Sequence, residues 1–135
     1  MKIRYIIVFM FITAGFIQAK TFTPTQIVQK RDYKKLNNKA NKYALKGEIE
    51  KSLNLAKEAF RIHQNKESLY IMARIYNFKK EYKSLKKVAK EILSISKNDY
   101  LGTIYLYNAT KDKKILTSLL KEYPNDETIL KKLKG

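Results

Sequence analysis

The side chains able to run a reaction are few and scattered. His63 is the only histidine, and there is no cysteine. Zinc sites usually draw several His or Cys ligands, so one histidine cannot supply them. The lack of cysteine also excludes disulfides, thiolate metal sites, a cysteine nucleophile and a lipid-modified N-terminal cysteine. His63 stands beside Gln64 and Asn65 at a predicted helix end and reads as a surface residue. The 12 carboxylates are dispersed among 29 lysines and arginines. Glu48 and Glu50, and Glu58 with Arg61, read as outward-facing helix charges. No glycine-rich phosphate loop, HExxH or GxSxG occurs. No enzyme activity, metal or cofactor is expected.

What remains is the chemistry of recognition. Lys79, Lys83, Lys86 and Lys90 follow one another at spacings of four, three and four, which places them on one face of a predicted fourth helix. Lys80 and Lys87 flank that stripe. A lysine face of this kind attaches to phosphates in a salt-sensitive way without reading sequence, or to an anionic membrane surface. No helix-turn-helix, RNA-binding aromatic signature or arginine fork marks a nucleic-acid specialist, so nucleic acid is not the expected partner. The formal net charge is +17. Lysine, asparagine, isoleucine and tyrosine are abundant together, and all have AT-rich codons. The raw charge is therefore a weak functional signal.

The elements that must position these residues read as helices. With 135 residues, four glycines and two prolines, the chain is one domain of helices joined by short polar loops. Residues 1–19 stand apart. Lys2 and Arg4 precede an apolar stretch from Tyr5 to Ile17, followed by Gln18 and Ala19. A membrane-spanning helix needs about 20 apolar residues to cross roughly 30 Å. This stretch is shorter and has the form of a secretory signal cleaved after Ala19. The expectation is an exported chain, in the periplasm or cell envelope of a bacterium or secreted, with an uncleaved anchor as the alternative.

Beyond it the chain repeats. A shift of 33 lays Leu36 on Leu69, Ala40 on Ala73, Tyr43 on Tyr76, Ile49 on Tyr82, Ala56 on Ala89, Ala59 on Ile92 and Ile62 on Ile95. Each unit reads as two helices. Leu36, Ala40, Tyr43 and Ala44 form one stripe, Gly47 suits the left-handed turn that ends a helix, and Ile49, Leu53, Ala56, Ala59 and Phe60 form the next. Asn65 and Asn98 stand where N-caps are needed, and Asp112 caps a later helix. Thr23-Pro24 is a good helix start, and residues 24–35 either extend the first helix or form a separate turn.

These residues resemble the tetratricopeptide repeat, a helix–turn–helix unit of about 34 residues. The first unit supplies Leu36, Ala40, Tyr43, Ser52, Ala56 and Ala59. The second supplies Leu69, Met72, Ala73, Tyr76, Leu85, Ala89 and Ile92. Tyr123-Pro124-Asn125 looks like the family's repeat boundary. The departures are the absence of tryptophan, Lys39 at a usual leucine, no closing proline after the first two units, and a short third unit.

The resemblance implies an all-α fold of helix–turn–helix repeats stacked as a short right-handed α-solenoid. It divides 20–135 into units of about 32–64, 65–97 and 98–125, with a cap over 126–135. It also implies a protein–protein interaction module, an adaptor or assembly factor holding another protein, an acidic one if the lysines contribute, in a groove lined by the first helices. By position the groove residues are Lys34, Asn37, Asn41 and Leu45 in the first unit, and Tyr70, Arg74 and Asn77 in the second. Some family members clamp a peptide carboxylate with such residues, but the complete clamp spacing is absent. The alternative is a basic envelope protein that binds an anionic lipid or other acidic surface through Lys79, Lys83, Lys86, Lys87 and Lys90, without a specific protein partner.

Overall fold

A computed structural model describes residues 23–135 of the chain. The expected secretory signal over 1–19 lies outside the described residues. Seven α-helices and no strand occur among the described residues: α1 (Pro24–Leu45), α2 (Ile49–Ile62), α3 (Lys66–Phe78), α4 (Tyr82–Ile95), α5 (Tyr100–Thr110), α6 (Lys113–Glu122) and α7 (Glu127–Lys134). Pro24 opens α1, and residues 24–35 extend that helix without a break. The first helix therefore reaches further back than the unit boundary at 32. None of these helices is long and apolar enough to cross a membrane.

Each helix packs on the next in the chain. In addition α1 touches α3, and α3 touches α5, whereas α2, α4 and α6 do not touch one another. α1, α3 and α5 thus form a contiguous row, the inner row, which α7 joins through hydrogen bonds from the Tyr100 and Tyr107 side chains of α5. The 33-residue period recurs in the backbone itself. α1 ends where the amide of Glu48 donates to the carbonyl of Tyr43 at 2.9 Å, and α3 ends where Glu81 donates to Tyr76 at 2.9 Å. Gly47 (φ 79°) makes the first of these turns, as its sequence position predicts, and Lys80 (φ 58°) makes the second. A six-to-one bond of this kind needs a left-handed residue just past the helix. Glycine adopts that conformation without strain, and lysine does not.

The main core joins α1 to α4 around Leu53, Leu69, Ile71, Met72, Leu85 and Ile92. Ala40, Ala56, Ala73 and Ala89 are all fully buried, because small residues let helix backbones approach. Each buried Leu or Ile contributes about 1.5–3 kcal/mol relative to leaving it in water. A smaller cluster of Ile104, Tyr107, Leu116, Leu119 and Ile129 holds α5, α6 and α7 together. Gly102 links the two. A Cβ there would lie 2.7 Å from the Ile92 Cγ2 methyl, so only glycine lets α5 settle on α4 at this point.

Candidate functional site

The inner row is built by one device used three times. Asn65 caps α3 by accepting the Ser68 amide at 2.8 Å, and the same oxygen accepts Asn37 Nδ2 from α1 at 3.2 Å. Ser68 Oγ donates back to Asn37 Oδ1 at 2.9 Å. Asp99 caps α5 by accepting the Gly102 amide at 2.8 Å. Its other oxygen accepts the Tyr70 hydroxyl and, at 3.1 Å, Lys66 Nζ, both from α3. Asp126 caps α7 by accepting the Ile129 amide at 3.0 Å, and accepts the Tyr100 hydroxyl of α5 at 2.9 Å. Each cap satisfies an orphan helix amide and fastens the preceding inner helix to the next. The second cap is Asp99 rather than the expected Asn98.

Two of the expected groove residues belong to this device. Asn37 is fully buried, with both ends of its amide bonded. It cannot line an open groove, because α3 covers it. Tyr70, which stands 33 residues on from Asn37, is half-buried with its hydroxyl engaged by Asp99. Burial drives that phenol upward, and the hydrogen bond and charge of Asp99 add to the shift. Burial also pushes the Asp99 carboxyl up, but the hydrogen bonds from Tyr70, Gly102 and Lys66 together outweigh it and hold the group below its ordinary value.

Of the other groove residues, Asn41, Leu45, Arg74 and Asn77 lie towards the C-terminal ends of the inner helices, where the row opens. Arg74 Nη2 donates to Asn41 Oδ1 at 3.0 Å across α1 and α3. Asn77 accepts Asn108 Nδ2 at 3.2 Å, and Asn108 accepts Lys132 Nζ at 3.1 Å. Asn77 is thereby half-enclosed by α5. Lys34 is exposed on α1. Leu45 is 88% exposed and Phe78 is 74% exposed. These two residues stand at the last positions of α1 and α3, 33 apart. Together with Asn41, Ala44, Ile49, Arg74 and Ile75 they line a cleft of about 820 Å³. That volume lies within the range of ligand-accepting clefts, roughly 300–1,000 Å³. Its mainly apolar wall carries one cation and one amide, a composition suited to recognition rather than bond-making.

The expected lysine face is partly dismantled. Lys79 is the C-cap of α3 and stands outside α4. Its ammonium is held by Glu50 at 2.6 Å and Glu81 at 2.9 Å, and the Glu50 hydrogen bond is the main reason its pKa is raised. It is a tie between turns, so its place in a basic stripe is corrected. Lys83, Lys86, Lys87 and Lys90 remain exposed along α4. A second lysine face lies on α1. Lys35, Lys39 and Lys42, with Lys46 in the turn just past the helix, have the same spacings of four, three and four, and all are exposed. The rule that singles out the α4 stripe makes this one legible in the sequence too.

His63 is exposed at the end of α2, its ring stacked on Tyr33 with centroids 4.8 Å apart. No group of three or more His, Cys, Asp or Glu side chains comes together among the described residues. Neither a protein-family model, nor a curated protein, nor a solved structure matches the chain.

Proposed function

We propose that the chain is an exported, non-enzymatic helical-repeat module that holds a partner protein, in the manner of a tetratricopeptide-like adaptor or assembly factor of a bacterial cell envelope. The observation that carries this reading is the cleft between the ends of α1 and α3, where Leu45 and Phe78, the two most exposed large apolar side chains among the described residues, stand together. A soluble chain gains nothing from two large apolar side chains in water. Burying them against a partner returns about 25 cal/mol for each Å² covered.

The contiguous inner row, the 33-residue period and the repeated turn favour about two and a half stacked units in a right-handed α-solenoid, closed by α7. Such arrays present the inner row to partners and draw stability from stacked neighbours. Asn41 and Arg74 then orient the bound segment by hydrogen bonding, and the lysine excess speeds encounter with an acidic partner.

A photo-crosslinking residue placed in turn at 45, 78 and 87, in the native cells, tests the reading. One protein captured from 45 and 78 but not from 87, and retained at high salt, is the expected result. Captures that are the same from all three positions, or absent from the cleft, would overturn it.

A further inference from the structure

We propose that the outward face of α1 docks on an anionic lipid bilayer, a contact separate from the partner cleft and beyond the reading above. Lys35, Lys39, Lys42 and Lys46 are exposed, and none forms an ion pair among the described residues. With 1.5 Å of rise per residue, Lys35 to Lys42 runs about 10 Å along the helix, and Lys46 follows in the turn just past its end. From Tyr33 to Gly47 the chain carries no acidic residue.

The face is shaped as well as charged. The four lysines, Asn38 and Tyr43 line a depression of about 500 Å³. A second, of about 250 Å³, shares Lys39 and Tyr43 and continues onto α2 at Lys51 and Leu55. Neither depression is lined by a carboxylate. The acids flanking the row are Asp32, three residues before Lys35, and Glu48, which is paired with Lys51 at 2.5 Å. Tyr43 is half-buried at the centre, with Lys46 Nζ 6.0 Å and Lys51 Nζ 5.5 Å from its ring centroid.

A straight row of ammonium groups around an aromatic ring matches a plane of phosphate headgroups. Tyrosine settles at the level of the headgroups, and lysine stems lie along apolar surface while their charges reach the phosphates. The α4 stripe from Lys83 to Lys90 has no aromatic residue within it and ends beside Glu91. Leu45 and Asn41 lie on a different flank of α1, so a bilayer on the lysine face leaves the cleft open.

The test is sedimentation of the full chain with vesicles of two parts phosphatidylcholine to one part phosphatidylglycerol, against pure phosphatidylcholine. The difference between the two removes any contribution from the apolar stretch Tyr5–Ile17. Two variants of equal net charge are compared: K35E/K39E/K42E/K46E, and K83E/K86E/K87E/K90E. The α1 variant should weaken anionic-vesicle binding at least about tenfold, and the α4 variant less than about threefold. Circular dichroism checks that both remain helical. If the first does not fold, K35Q/K39Q/K42Q/K46Q serves in its place, against K83Q/K86Q/K87Q/K90Q. Equal loss in both variants would show that net charge alone acts and would overturn the proposal. So would equal binding of the wild type to both vesicles, or its displacement from anionic vesicles by duplex DNA at matched phosphate.

Discussion

The inner helices are used differently at their two ends. At the cap-bonded end, the side chains of Asn37, Tyr70 and Tyr100 reach forward and close on the caps of the following helices. At the C-terminal end, Leu45 and Phe78 reach into solvent and touch no such cap. Both ends carry residue types found at binding surfaces. Only one end is available to bind, because the other holds the row together. The lesson is that polar residues beside a helix start are spent on its cap, whereas at the far end they pair with one another, Arg74 with Asn41 and Asn77 with Asn108, and leave the apolar Leu45 and Phe78 uncovered.

The sharpest way to break the comparison is Asp99→Ala. It removes a helix cap and strands the half-buried Tyr70 hydroxyl. A loss of about 2–3 kcal/mol is expected in urea denaturation. A loss under about 0.5 kcal/mol would mean that the caps do not fasten the row.

Tyr70→Phe takes away one donor and should cost about 1 kcal/mol. The same cap gives a pH signature. The folded Asp99 carboxyl is held below its ordinary value of 3.8, so its charged form favours folding. That contribution is fully present above pH 3.8 and is lost as pH falls through the lower folded value. Asp99→Asn keeps a competent cap and removes the titration, so its stability should fall less steeply on acidification than the wild type's. An unchanged acid limb would dissociate Asp99 from the acid sensitivity.

At the open end, Lys80 closes α3 in the left-handed conformation that Gly47 adopts after α1. Lys80→Gly should raise stability by about 0.5–1 kcal/mol, read by the urea midpoint. A destabilised variant would show that the lysine side chain, rather than the turn, holds that end.

The smallest expected change in stability comes from Leu45→Ser with Phe78→Ser. Both sites are exposed, so unfolding should move by less than about 0.5 kcal/mol, while crosslinking from the cleft disappears. A large loss of stability would place the two residues among those that hold the fold, and erase the contrast between the ends.

Much of the fold was legible because it rests on short-range rules. The apolar spacing of Leu69, Met72, Ala73 and Tyr76 marks a helix face, and those residues are buried. Gly47 ends α1, and Asp112 caps α6 by accepting the Lys114 amide. The Asn98 reading failed by one position. Either residue offers a cap oxygen, and what selects Asp99 is that it also meets Tyr70 and Lys66, residues of another helix. Lys79 failed for a related reason: Glu50, which holds it, is 29 residues away.

The sequence by itself determined where helices start and stop, that they are amphipathic, and that the pattern returns every 33 residues. These are properties of neighbours along the chain, set by backbone geometry and side-chain spacing. Tertiary structure alone decided which inner-face residues are spent and which are offered. Asn37 and Asn41 are the same residue type one helical turn apart on α1, yet the first is sealed between α1 and α3 and the second stands at the cleft. Their fates differ because α3 begins beside one and ends beside the other, a relation between helices that one helix's sequence does not contain.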